Sequence, residues 1–142
     1  MNKDVFAKEV VDKLLETDAF SKWLGIEILK IEEGYSKIKM KVRSEMVNGF
    51  GIAHGGIAFS LADSAFAYAC NNRNNLSVAL DTNISFIKAV NVGDELIAEA
   101  TEIHDGRSTG VYSINIINQK NEQVALFKGT CFRTNKTLLN LD

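Results

Sequence analysis

Residues 56–71 read GIAFSLADSAFAYACN, with Ala, Leu, Ile, Phe or Tyr on nearly every face a helix could present. A surface helix keeps a broad polar stripe. This one does not, so the rest of the chain must enclose it. A bilayer is not the enclosure, because a span needs about 20 apolar residues and Ser60, Asp63 and Ser64 interrupt a run that is already shorter.

The remaining pattern supplies strands as the envelope. Ile38, Met40 and Val42 alternate with Lys37, Lys39, Lys41 and Arg43, the period-2 signature of a half-buried strand. Residues 26–31 are strand-like. After the helix, Val78, Leu80, Ile84 and Phe86 alternate with polar residues, and residues 95–103, 110–117 and 124–133 complete four more strands. Turn signals at 91–94, 105–106 and 118–122 separate them, and short turns between consecutive strands imply antiparallel pairing. Ahead of all this, residues 4–16 place Phe6, Val10, Val11, Leu14 and Leu15 on one helical stripe. Asp18 can cap a short second helix through Trp23, which Gly25 would end. Residues 48–56 are Gly-rich and loop-like. The expected fold class is α+β, an antiparallel sheet wrapped around one long helix.

The chain has 142 residues, enough for one domain spanning 1–142. A net charge of −2 and the lack of a basic stripe argue against a general nucleic-acid binder. With no apolar leader behind Met1-Asn2-Lys3-Asp4, a cytoplasmic protein is expected. Cys70 and Cys131 sit in apolar surroundings without metal-ligand spacing, which fits reduced core thiols.

Asp63 is the exception in the apolar helix. A carboxylate there is costly unless it is paired, functional, or turned out into a notch or an interface. Ahead of the helix stands His54-Gly55-Gly56. It reads either as an ordinary flexible loop or as a helix start with bare N–H groups, which concentrate positive potential and can stabilise an oxyanion. Gly56 and Asp63 share a helix face seven residues apart, about 10 Å along the axis. One reacting carbonyl needs both its nucleophile and its oxyanion donors within about 3 Å. Two antiparallel copies of the helix would bring Asp63 of one to Gly56 of the other, so a homodimer with shared active sites is expected.

The run from Asn48 to Phe66, with His54-Gly55-Gly56 joined at this spacing to Leu61-Ala62-Asp63, resembles the signature of phenylacetic-acid-degradation-type thioesterases of the hotdog superfamily. That resemblance implies a hotdog fold, dimers pairing into a homotetramer, and hydrolysis of aryl- or acyl-CoA without metal or cofactor. It implies that Asp63 is the catalytic carboxylate, as general base or nucleophile. Gly56 would polarise the thioester carbonyl, and His54 and Asn48 would shape the site around it. By the same resemblance, Gly55 and the segment Arg107-Ser108-Thr109 would contact CoA. Arg107 is equally readable as a solvated hairpin charge. Ala89 stands where relatives often carry proline.

Two other readings compete. A hotdog dehydratase would pair a His with an acid to expel hydroxide, and a non-catalytic acyl-CoA-binding module could use the same fold. Lys88 and His104 read as surface groups, Phe66 and Tyr68 as packing, and Trp23 as a lid or core residue.

Overall fold

The computed structural model describes residues 2–140. Its elements follow the order helix, helix, two strands, helix, four strands: α1 (Lys3–Thr17), α2 (Ala19–Leu24), β1 (Glu27–Glu32), β2 (Tyr35–Lys41), α3 (Gly55–Asn71), β3 (Asn75–Phe86), β4 (Glu95–Asp105), β5 (Thr109–Ile117) and β6 (Gln123–Thr137). Asp18 caps α2, its side chain accepting from Ser21 N–H, and Gly25 ends it in the left-handed region at φ 77°. Glycine adopts that φ at no steric cost.

The six strands form one antiparallel sheet in the order β1-β2-β4-β5-β6-β3. Its inner face presents Ile38, Met40, Leu96, Ala98, Ala100, Tyr112, Ile114, Ile116, Ala125 and Phe127, all 0–2 % exposed. α3 packs onto β2 through β6. At Gly129 of β6 the approach is close enough that a Cβ would come within 2.8 Å of the Phe66 ring. Phe66 in turn packs edge-on against Tyr112, with ring centroids 5.7 Å apart. The packing roles of Phe66 and Tyr68 hold, each being 2 % exposed.

One inference from the turns needs correcting. The turn at 91–94 is real: Gly93 has φ 91°, and Asp94 Oδ2 accepts from Asn91 N–H at 2.9 Å. It does not join neighbouring strands. β3 pairs with β6, and β4 pairs with β2. Residues 87–94 are a crossover whose backbone is satisfied by distant partners. Ile87 N–H donates to Val124 O, Ala53 N–H to Val90 O, and Gly93 N–H to Val42 O. The crossover leaves β3 as an edge strand of 12 residues.

Besides Gly55 and Phe59, the residues of α3 left exposed or half-exposed are Gly56, Ser60, Asp63 and Ala67. Their 4-3-4 spacing makes one stripe. Among the described residues no helix is long and apolar enough to cross a membrane.

Candidate active site

His54 is the N-cap of α3. Its Nδ1 accepts the Gly56 N–H at 2.8 Å, so the Gly56 amide is not bare, in contrast to the sequence expectation. An imidazole that accepts at Nδ1 carries its proton on Nε2 when neutral. The Gly55 N–H has no partner among the described residues. Both glycines sit in close approach to a neighbouring side chain. A Cβ on Gly56 would lie 3.0 Å from His54 Nδ1, and one on Gly55 3.2 Å from the Phe86 ring. Loss of a capping side chain costs about 1 kcal/mol, so His54→Ala is expected to lower unfolding stability by about that amount in a urea titration.

Asn48 shapes the preceding loop. Its Oδ1 accepts from Phe50 N–H at 2.8 Å, and its N–H donates to Ile52 O at 2.8 Å. The His54 N–H donates to Met46 O, which fixes the entry into α3.

Three cavities lie along α3. The first, about 310 Å³, is lined by Asn48, His54 and Gly55 together with apolar groups such as Ile52, Phe86 and Val90. The second, about 360 Å³, lies across His54 from it and contains Gly56 and Ser60. Asp63 lines a third, about 130 Å³, with Cys70 and Ala79. The structure therefore gathers Asn48, His54, Gly55 and Gly56 at the start of α3 and leaves Asp63 apart from them within the chain. Arg107, Ser108 and Thr109 line none of the three. Their hairpin is held by the buried Arg133, whose N–H donates to Ser108 O at 2.8 Å and whose guanidinium pairs with Asp105 at 2.8 Å. Lys88 pairs with Glu122, and both Lys88 and His104 are exposed, as expected.

Asp63 has no hydrogen-bond or ion-pair partner among the described residues. Burial among apolar walls raises its carboxyl above the usual range, although its own side chain opens to solvent on the uncovered stripe; the negative charge of Asp18 adds to the shift. Asp18 goes the other way. Burial works to raise it, but hydrogen bonds from Ser21 and Tyr68 outweigh burial and hold it below the usual carboxylate range. Asp18 Oδ2 accepts from Ser21 Oγ at 2.6 Å and from Tyr68 OH at 2.8 Å, and Ser21 Oγ meets Ser64 Oγ at 2.8 Å. Sequence reading found Asp18 only as a cap and missed this cluster, whose members lie 43 and 50 residues apart. A pair of carboxylates pushed in opposite directions marks a candidate acid/base centre.

The same pair makes a pH prediction. Removing the Asp18 charge eases ionisation of Asp63, so its folded-state pKa falls. In Asp18→Asn, which keeps a good cap residue, the acid limb of any activity needing ionised Asp63 is expected to move to lower pH, read from a pH–kcat/KM profile. Among the described residues no group of three or more His, Cys, Asp or Glu is placed to hold a metal ion.

Known proteins match this chain along most of its length. A family model described as the thioesterase superfamily matches residues 50–125, which contain the start of α3 and Asp63. The acyl-coenzyme A thioesterase PaaI of Escherichia coli (strain K12) is 45 % identical over 125 residues, covering 88 % of this chain and 89 % of that protein. The structure of the E. coli PaaI protein from the phenylacetic acid degradation operon superposes with a TM-score of 0.92 at 42 % identity, covering 94 % of this chain and 97 % of that one. A Streptococcus mutans protein bound to acetyl CoA superposes with a TM-score of 0.76 at 29 % identity, covering 79 % and 90 %. A sheet wrapped around a helix that carries one unpartnered carboxylate, matched at this identity and coverage, leaves no ambiguity of family: the chain belongs to the thioesterase superfamily and has the hotdog fold.

Proposed function

We propose that this protein hydrolyses acyl-CoA thioesters to free acid and CoA, at sites shared by two copies of the chain, with Asp63 as general base or nucleophile. The observation that carries the reading is Asp63 itself: an unpartnered carboxylate, raised by its apolar setting, on the one stripe of α3 that the sheet leaves open. A group in that state costs stability and is a candidate for proton transfer. The E. coli relative is an acyl-coenzyme A thioesterase, and the S. mutans protein was bound to acetyl CoA. Phenylacetyl and related aryl groups, or medium-chain acyl groups, are the substrates proposed.

The chemistry needs few groups. A thioester is activated toward attack and its thiolate is a good leaving group. The Gly56 amide, at the positive end of α3, polarises the carbonyl once the His54 imidazole gives it up, and the unpartnered Gly55 amide flanks it. Asn48 and His54 hold the surrounding loop. Asp63 either takes a proton from attacking water or attacks the carbonyl itself to form an anhydride that water then opens. Arg107, Ser108 and Thr109 are proposed to contact the CoA moiety.

The edge of the sheet supports the dimer. β3 is a long unpaired edge that exposes Val78, Leu80 and Phe86 by 49–59 %. Exposed apolar edges are templates for pairing. Antiparallel β3–β3 pairing about a twofold axis would set two α3 helices antiparallel, so that Asp63 of one copy faces Gly56 of the other. Pairing of dimers into a tetramer is proposed with it.

The test is thiol release from a panel of aryl- and alkyl-acyl-CoA substrates. Release by the wild type is expected. Enoyl product without thiol would replace hydrolysis by dehydration, and tight binding without turnover would leave a binding module.

A further inference from the structure

A thioester has two arms, an acyl group on the carbonyl carbon and a long amide-bearing thiol. The start of α3 has two cavities, and His54 lines both. The first cavity sets Asn48 and Lys88 among apolar residues such as Ile52, Phe86 and Val90. The second is walled by Phe20 and Trp23, with Met46, Val47 and Ile57, and also carries Glu45 and Ser60.

Phe20 and Trp23 are unusual for a helix as short as α2. They are 54 % and 47 % exposed, so Trp23 is not a core residue. Their rings stack, with centroids 5.9 Å apart and planes inclined by 23°. Trp23 is also held from behind. The Arg43 guanidinium lies 4.9 Å from its ring centroid, donates to Trp23 O at 2.7 Å and to Leu24 O at 3.3 Å, and pairs with Glu45 at 2.6 Å. The Asp18 cap and the Ser21–Ser64 contact fix the helix to α3. A large aromatic surface is thus held in place and left open to a cavity that Gly56 also lines. Rigid exposed aromatics present contact area at low entropic cost.

We infer that the Phe20–Trp23 cavity receives the acyl group, that its stacked rings select flat aromatic acyl groups over alkyl ones, and that the thiol arm leaves through the cavity of Asn48 and Phe86. This rests on the reading that the start of α3 binds the thioester carbonyl. Phe20 and Trp23 are then specificity-determining residues of the hydrolysis.

The chain contains one tryptophan, so intrinsic emission reports on this cavity directly. The experiment titrates the Asp63→Asn protein with phenylacetyl-CoA, hexanoyl-CoA and CoA alone, following Trp23 emission, with calorimetry to confirm binding. A saturable change with phenylacetyl-CoA that CoA alone does not produce is expected. In the otherwise wild-type enzyme, Trp23→Leu is expected to lower the ratio of kcat/KM for phenylacetyl-CoA to that for hexanoyl-CoA by about tenfold, and Trp23→Phe to retain most of it. The inference is overturned if CoA alone reproduces the emission change, if phenylacetyl-CoA binds without altering emission, or if the ratio does not move in Trp23→Leu. Wild-type thiol release separates the two claims. Asp63-dependent release with a silent Trp23 removes the cavity assignment alone. Absence of release from every acyl-CoA removes the hydrolase reading, while the titration still reports which arm, if either, meets Trp23.

Discussion

Replacing Asp63 by asparagine is expected to lower turnover of acyl-CoA substrates by about two to four orders of magnitude, the usual loss for removing a group that moves a proton or attacks. The fold is expected to survive. Asparagine is nearly isosteric, and Asp63 makes no hydrogen bond or ion pair to lose among the described residues. Its raised pKa carries a sign as well. A carboxyl whose folded-state pKa lies above its unfolded value destabilises the native state in full above the folded pKa, and the penalty shrinks as pH falls through the folded pKa and is gone below the unfolded one. The neutral variant should therefore melt no lower than the wild type at neutral pH. Thiol release and thermal melting, measured on the same preparations, check both halves. A variant that loses activity by unfolding would show the opposite melting shift.

The second large effect is expected at the edge of the sheet. Leu80 is 59 % exposed on β3 in the isolated chain, so Leu80→Lys should disturb the monomer fold little. In a dimer paired through β3 it places a charge at the junction, and edge lysines block such pairing. The variant is expected to elute as a monomer. Its turnover should fall by about 100-fold or more, the scale of losing an oxyanion donor, because within one chain Gly56 and Asp63 stand about 10 Å apart along α3. Size-exclusion chromatography with light scattering and thiol-release kinetics give the two readouts. A fully active monomer would remove the shared-site account.

Much of the fold was legible because local signals agreed with long-range packing. The all-round apolarity of residues 56–71 called for enclosure, and the period-2 run around Ile38, Met40 and Val42 gave one wall of it. Strand adjacency was not legible at β3. The Asn91–Asp94 turn looks like a hairpin turn, but the backbone groups on either side of it are satisfied by Val124, Val42 and Ala53, far away in sequence. At the site, Asp63 stood out because a carboxylate is anomalous in that helix. The Gly56 amide was misread as bare, since His is not among the usual capping side chains and nothing in the sequence announces that His54 folds back onto it. The Asp18–Ser21–Ser64–Tyr68 cluster carried no local signal beyond the Asp18 cap, because Ser64 and Tyr68 lie 43 and 50 residues from their partners. Of the two readings of Trp23, lid or core, its 47 % exposure removes the core one.

The shared site is tested most directly by complementation between two inactive variants, Asp63→Asn and Gly56→Val. Each is expected to be inactive alone. Co-expressed with distinct tags, they form mixed dimers in which one site is doubly defective and the other pairs native Asp63 with native Gly56. Random pairing then restores about a quarter of wild-type activity, carried entirely by the mixed species. Mixed dimers that form and stay inactive would contradict the account and return Asp63 and Gly56 to separate roles within one chain.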